Sequence, residues 1–191
     1  MLARMLGCGG SGVFVSKVRL IGDPILRTTC EAVEVFDASV RSQAKTLLKS
    51  LTSNDHGIGL AANQIGLTLR MFAYEEDFLE ERAGVICNPR IVEKSGSQID
   101  DEGCLSIPNL FWERERFEHV IVVGQTPEGD QVTYEAEGLV SRLVQHEIDH
   151  LDGKLFIDGL PREQRKAINE YLAEMNRISQ RRNARTLGSR R

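Results

Sequence analysis

Residues 145–153 read QHEIDHLDG, two histidines four positions apart with a glutamate directly after the first. An α-helix turns by about 100° per residue, so His146 and His150 point almost the same way and can grip one ion. Leu139 and Leu143 lie on the same stripe. The pattern predicts a helix from Leu139 to Leu151 whose inner face runs from apolar side chains up to a metal. Glu147 would project beside the ion, where it suits a general base acting on water. The plainer alternative is a helix with two ordinary core histidines. Against it, two of only four histidines in the chain sit at ligand spacing around a glutamate. A purely structural zinc site closes with four protein ligands and needs no such glutamate.

Upstream of this helix the period is that of strands. Residues 15–22, 69–74, 84–94, 119–126 and 131–138 each predict a strand, with PEGD (127–130) as a hairpin turn between the last two. Earlier still, Val40, Ala44, Leu47, Leu48 and Leu51 recur at helical spacing behind Asp37, which predicts an amphipathic helix over 38–53 with Asp37 as its N-cap. Residues 160–179 predict a long C-terminal helix with Pro161 near its start. The expected class is α+β: mainly antiparallel β-sheets around a central metal-binding HExxH helix, with an N-terminal helix and a long C-terminal helix.

The 191 residues and 41% apolar content fit one globular domain that needs no disulfide staples. A net charge of −4 excludes a body that binds nucleic acid as a whole, so no DNA partner is expected. No apolar run is long enough for a membrane span. Cys8, Cys30, Cys87 and Cys104 form no CxxC pair and no secreted framework, and read as reduced thiols of a cytosolic compartment, a bacterial-type cytoplasm and an organelle both remaining open. Residues 1–15 read as an N-terminal extension, a transit remnant being the alternative, and 16–176 as the catalytic domain. Residues 177–191 form an arginine-rich tail without acid. Such a tail is either a solvated end or a contact for RNA phosphates.

A catalytic ion needs a third protein ligand. Glu163, Glu170 and Glu174 on the C-terminal helix would serve an endopeptidase. Asp149 and Asp152 suit outer partners of the ligands or surface charges. Cys104 stands in the polar, glycine-containing stretch DDEGCLSIP (101–109), read as a turn. Beside a divalent ion it would bind as thiolate, completing a Cys104–His146–His150 set with one open place.

Three segments, GIGLAANQIG (57–66), EGCLS (102–106) and QHEIDHLDG (145–153), together resemble the signature motifs of peptide deformylases, complete and in order. GDPILR (22–27) and GKLFID (153–158) are also similar to the family pattern, so the resemblance spans about residues 16–175. His56 stands where many members have glutamate, Leu143 where some have cysteine, and bulky residues 110–116 where a rim arginine is common. These departures touch the rim and leave the reaction class alone.

The resemblance implies hydrolysis of the formyl group from formyl-methionine at the start of nascent peptides, releasing formate. It implies one divalent ion on Cys104, His146 and His150, ferrous iron in the cell, with Zn2+, Ni2+ or Co2+ able to substitute. Glu147 would be the acid–base group, and the Gln64 amide and Leu105 N–H the oxyanion donors. The peptide would pair along Ile58 and Gly59 like an added strand. Leu139, Leu143 and Ile86 are expected to form the methionine pocket. The alternative activity is an HExxH metallopeptidase cleaving internal peptide bonds. A substrate emerging from the ribosome would give the arginine tail a ribosomal RNA partner.

Overall fold

Asp37 caps the first helix, α1 (Ala38–Thr52), as its sequence predicts: the carboxylate accepts the N–H groups of Ser39 and Val40 at 2.8 and 3.0 Å. Such a cap contributes about 1 kcal/mol. Val40, Ala44, Leu47 and Leu51 form its buried stripe. The computed structural model describes residues 15–54, 57–75, 83–161, 163–166, 168–174 and 177. Residues 1–14 of the expected extension, His56 and 178–191 of the arginine tail lie outside them.

Five antiparallel strands form the main sheet: β1 (Gly59–Ala61), β2 (Met71–Tyr74), β3 (Gly84–Ser95), β6 (His119–Gln125) and β7 (Gln131–Glu137), hydrogen-bonded in that order. The PEGD turn closes β6 onto β7, with Thr126 N–H donating to Asp130 O at 2.8 Å. Two further strands, β4 (Gln98–Cys104) and β5 (Ile107–Arg116), pair only with each other. The second helix, α2 (Gly138–Leu151), packs on β1, β2, β5, β6 and β7. Its buried side includes Leu143, Val144 and Leu151 together with His146, Glu147 and His150. Gly153 ends it at φ +71°, where a Cβ would sit 2.6 Å from the Arg27 carbonyl oxygen, so only glycine fits. A second core cluster joins Leu26, Ile107, Leu155 and Phe156 to Ile168. Positions 163–166 and 168–174 of the expected C-terminal helix are helical.

Three expectations are corrected. Residues 15–22, expected as a strand, join no ladder among the described residues: 21–22 form a turn, and Arg19 N–H bonds to Gln64 O and Ile21 N–H to Ser106 O, two different elements. The polar stretch around Cys104 is not merely a turn, since Cys104 is the last residue of β4, beside a register shift. Ile86, expected in the pocket, is 1% exposed in β3, paired with Phe72 inside the main core.

Candidate metal centre

Two elements deliver the three donors. Residues His146 and His150 come from one face of α2, and Cys104 from the end of β4. Their ligand atoms all lie within 4.8 Å of one another. Cys104 Sγ stands 3.2 Å from His150 Nε2, which is 3.2 Å from His146 Nε2. Two imidazole nitrogens that close cannot both carry a hydrogen toward each other. A thiol and two imidazoles converging in this way fit a borderline-soft divalent ion.

The orientation of His146 is fixed from behind. Glu102 stands two residues before Cys104 in β4 and is 4% exposed. Its Oε1 is 2.6 Å from His146 Nδ1, which leaves Nε2 free to face the other donors. Arg116 grips the same carboxylate with Nε and Nη2 at 2.9 and 2.7 Å, and Arg142 Nη1 reaches it at 3.2 Å. Burial opposes ionisation of Glu102, but the Arg116 and His146 hydrogen bonds outweigh it and hold the carboxyl well below the usual range. Arg116 also binds Asp149 at 2.6 Å, so Asp149 connects to His146 through Arg116 and Glu102, whereas Asp152 pairs with Arg70 and Lys154. Sequence reasoning missed Arg116 and Arg142. Their only signal is that two arginines stand on elements flanking a buried acid.

Glu147 is 3% exposed, and its Oε2 has no hydrogen-bond partner among the described residues. Burial pushes its carboxyl up to about 7, against the pull of His146. A group that exchanges a proton near neutrality is suited to acid–base work. Its other oxygen lies against Gly59, where a Cβ would approach Oε1 to 2.6 Å. Gln64 is 2% exposed and pinned at both ends: Oε1 accepts from Ala61 N at 2.8 Å, and Nε2 donates to Ser106 Oγ at 3.1 Å and Cys104 Sγ at 3.5 Å.

A cavity of about 480 Å³ opens onto this cluster. Cys104, His146, Glu147, Gln64 and Leu105 line it. Leu139, Leu143, Ile58 and Gly59 line it too, while Ile86 is not among the lining residues. Strand β1 is an edge strand, paired among the described residues only with β2. Phe111, 68% exposed, stands at the mouth, whereas Trp112 packs on the second core cluster. Another cavity, of about 580 Å³ and lined by Leu26, Leu155 and Ile157, contains none of the donors. Glu163, Glu170 and Glu174 are exposed, and no group of donors that includes them forms among the described residues.

A Cys-His-His set with both histidines buried, beside an HExxH glutamate and an apolar cavity, is the constellation of a metallohydrolase. Over residues 15–166 the sequence matches the family described as polypeptide deformylase. It is 42% identical over 161 residues to a peptide deformylase of Parafrankia sp. (strain EAN1pec), covering 84% of this chain and 86% of that protein. The fold matches the crystal structure of a peptide deformylase from Legionella pneumophila with a TM-score of 0.80 and 34% identity, over 88% of this chain and 99% of that one. It matches the crystal structure of peptide deformylase from Thermus thermophilus at 0.77 and 40%, over 87% and 99%. The chain belongs to the polypeptide deformylase family. It is a hydrolase that removes the N-terminal formyl group from formyl-methionine of newly made polypeptides.

Proposed function

We propose that Cys104, His146 and His150 hold one divalent ion, ferrous iron in the cell, and that Glu147 moves the proton of the reaction. The observation that carries this reading is the convergence of the three donors beside a buried carboxylate oxygen without a partner among the described residues. A divalent ion in such a centre supplies Lewis acidity, polarising the formyl carbonyl and acidifying a water. Glu147 takes a proton from the attacking water and passes it to the departing nitrogen, so that formate and a free amine result. The Gln64 Nε2 and Leu105 N–H groups stabilise the oxyanion. Losing one such donor typically costs about 100- to 1,000-fold in rate. Ala61 N–H holds Gln64 Oε1 and Ser106 Oγ takes one Nε2 hydrogen, so the other, directed at Cys104 Sγ, is the one that turns to the oxyanion.

In this reading the substrate backbone adds to the edge strand β1 at Ile58 and Gly59, and the methionine side chain lies against Leu139 and Leu143. The setting is a bacterial-type cytoplasm, and the arginine tail 177–191 docks on ribosomal RNA. No helix among the described residues is long and apolar enough to cross a membrane. The test is formate release from a formyl-Met tripeptide by protein purified without oxygen and loaded with Fe(II), Ni(II) or Zn(II). Release that vanishes in Glu147→Ala, with the ion retained, is the expected result. Unimpaired release by Glu147→Ala would refute the role of Glu147, and a ranking that put iron last would refute the choice of ion.

A further inference from the structure

His146 has a partner that fixes its ring, Glu102, whereas His150 Nδ1 has none among the described residues although His150 is 1% exposed. If His150 is a ligand through Nε2, its neutral ring carries the hydrogen on Nδ1, and a buried N–H needs an acceptor. Two buried acceptors are also unmatched among the described residues, Glu147 Oε2 and Oδ1 of Asn63, and of the two it is Asn63, fully buried in the 3-10 turn Ala62–Ile65, whose side chain hydrogen-bonds to His150. The two residues already touch, since Asn63 Nδ2 donates to the His150 carbonyl oxygen at 2.5 Å. That amide cannot be reversed, because Oδ1 would then set one acceptor against another. The orphaned donor and the orphaned acceptor therefore belong to one contact pair, and each is the chemical complement of the other.

We propose that Asn63 is a positioning residue for the metal ligand His150: Nδ2 anchors its backbone, and Oδ1 accepts its Nδ1–H through one buried water. A water held between two such groups is a normal part of a buried polar site. The arrangement does for His150 what Glu102 does for His146, with a neutral acceptor in place of a charged one. It fixes the tautomer that presents the Nε2 lone pair to the ion. The inference rests on His150 being a ligand, as proposed above.

The experiment uses the full chain with Co(II) as probe, its dissociation constant measured by chelator competition and its visible absorption recorded. Variants are Asn63→Ala, Asn63→Asp and His150→Ala, each with a melting temperature taken without metal. Asn63→Ala removes both functions and is expected to weaken Co(II) binding by about 10- to 100-fold and to shift the absorption band. Asn63→Asp keeps the acceptor but loses the donor to the His150 carbonyl. It is expected to regain most of the affinity while melting as low as Asn63→Ala. Equal losses of affinity in the two variants, in step with their melting temperatures, would overturn the proposal, as would unchanged binding by Asn63→Ala. Should Asn63→Ala not fold, paramagnetic NMR of the Co(II)-loaded wild type decides. A slowly exchanging, hyperfine-shifted N–H from His150 is expected, and rapid exchange overturns the assignment. His150→Ala separates the two levels: full Co(II) affinity there would refute the ligand set itself, not only the role of Asn63.

Discussion

Replacing Glu102 tests whether the metal centre and the stability of the fold depend on one buried carboxylate. In the structure Glu102 is 4% exposed and serves four contacts, two from Arg116 and one each from Arg142 and His146. Glu102→Ala leaves two guanidinium groups buried with reduced compensation. Arg116 keeps Asp149, and Arg142 keeps the Arg114 carbonyl and Gln98 Oε1. Removing one member of a buried ion pair costs about 3–5 kcal/mol. The retained contacts argue for the lower end. Against a total stability of about 5–15 kcal/mol the protein should still fold, but marginally. Glu102→Gln is gentler, because one acceptor oxygen remains while the new NH2 faces cationic donors, and about 1.5–3 kcal/mol is expected. In both variants His146 loses its charged partner, and ion affinity should fall about 10- to 100-fold. Urea unfolding at fixed ion content gives the first quantity and chelator competition the second. A Glu102→Gln protein with wild-type unfolding midpoint and wild-type affinity would refute the reasoning, since the network would then be ornamental to both.

Gly59→Ala should lower the rate of deformylation well before it lowers the unfolding midpoint, because the new Cβ would lie 2.6 Å from Glu147 Oε1 and must displace that side chain. Steady-state kinetics beside a urea titration checks the order of the two effects. Asp101 and Glu113 face each other across β4 and β5, two like charges on exposed positions. Glu113→Lys is expected to raise stability by about 0.2–1 kcal/mol, a gain that shrinks in high salt. The Asp158 carboxyl is held below its usual range. Burial opposes this, but the hydrogen bond from Arg27 and the Leu155 N–H prevail. Its contribution is thus present above the unfolded-state value of about 3.9 and is lost as pH falls through the lower folded value. The pair is 48% and 41% exposed, so the effect is below about 1 kcal/mol. The urea midpoints of wild type and Asp158→Asn should differ by a constant amount above about pH 5 and converge in acid.

The elements that sequence makes legible here are those whose buried side is apolar. Helix α1 shows its stripe as Val40, Ala44, Leu47 and Leu51, and β6 alternates through Val120 and Val122. The β4–β5 pair escapes that reading because its inward side is mixed. Leu110 and Trp112 pack on the second core, but Glu102 and Arg116 are also buried, while Ile99 and Phe111 are each 68% exposed. A search for apolar periodicity passes over such a pattern. Residues 15–22 fail in the opposite direction, since their alternation is apolar but Val15 and Leu20 stay about half exposed and no strand among the described residues pairs with them. Strand β1 is three residues long, too short to carry any period.

The same physics explains which parts of the site could be read. The spacing of His146 and His150 is a local property of a helix, so two of the proposed ligands and Glu147 follow from nine residues. The third proposed ligand is a long-range property. Cys104 lies 46 positions from His150, and no periodicity connects them. The glutamates that compete for the role, Glu163, Glu170 and Glu174, differ from it only in where the chain goes, and the chain carries them to an exposed face. Ile86 illustrates the remaining limit. An apolar residue in a strand satisfies the pattern of a core equally well as that of a pocket wall. The neighbour across the strand, Phe72, decides between them, and that neighbour is set by register. A polar residue is more informative once buried, because its hydrogen bonds must end somewhere. That demand is what ties Glu102 to His146 and makes Asn63 the natural counterpart of His150.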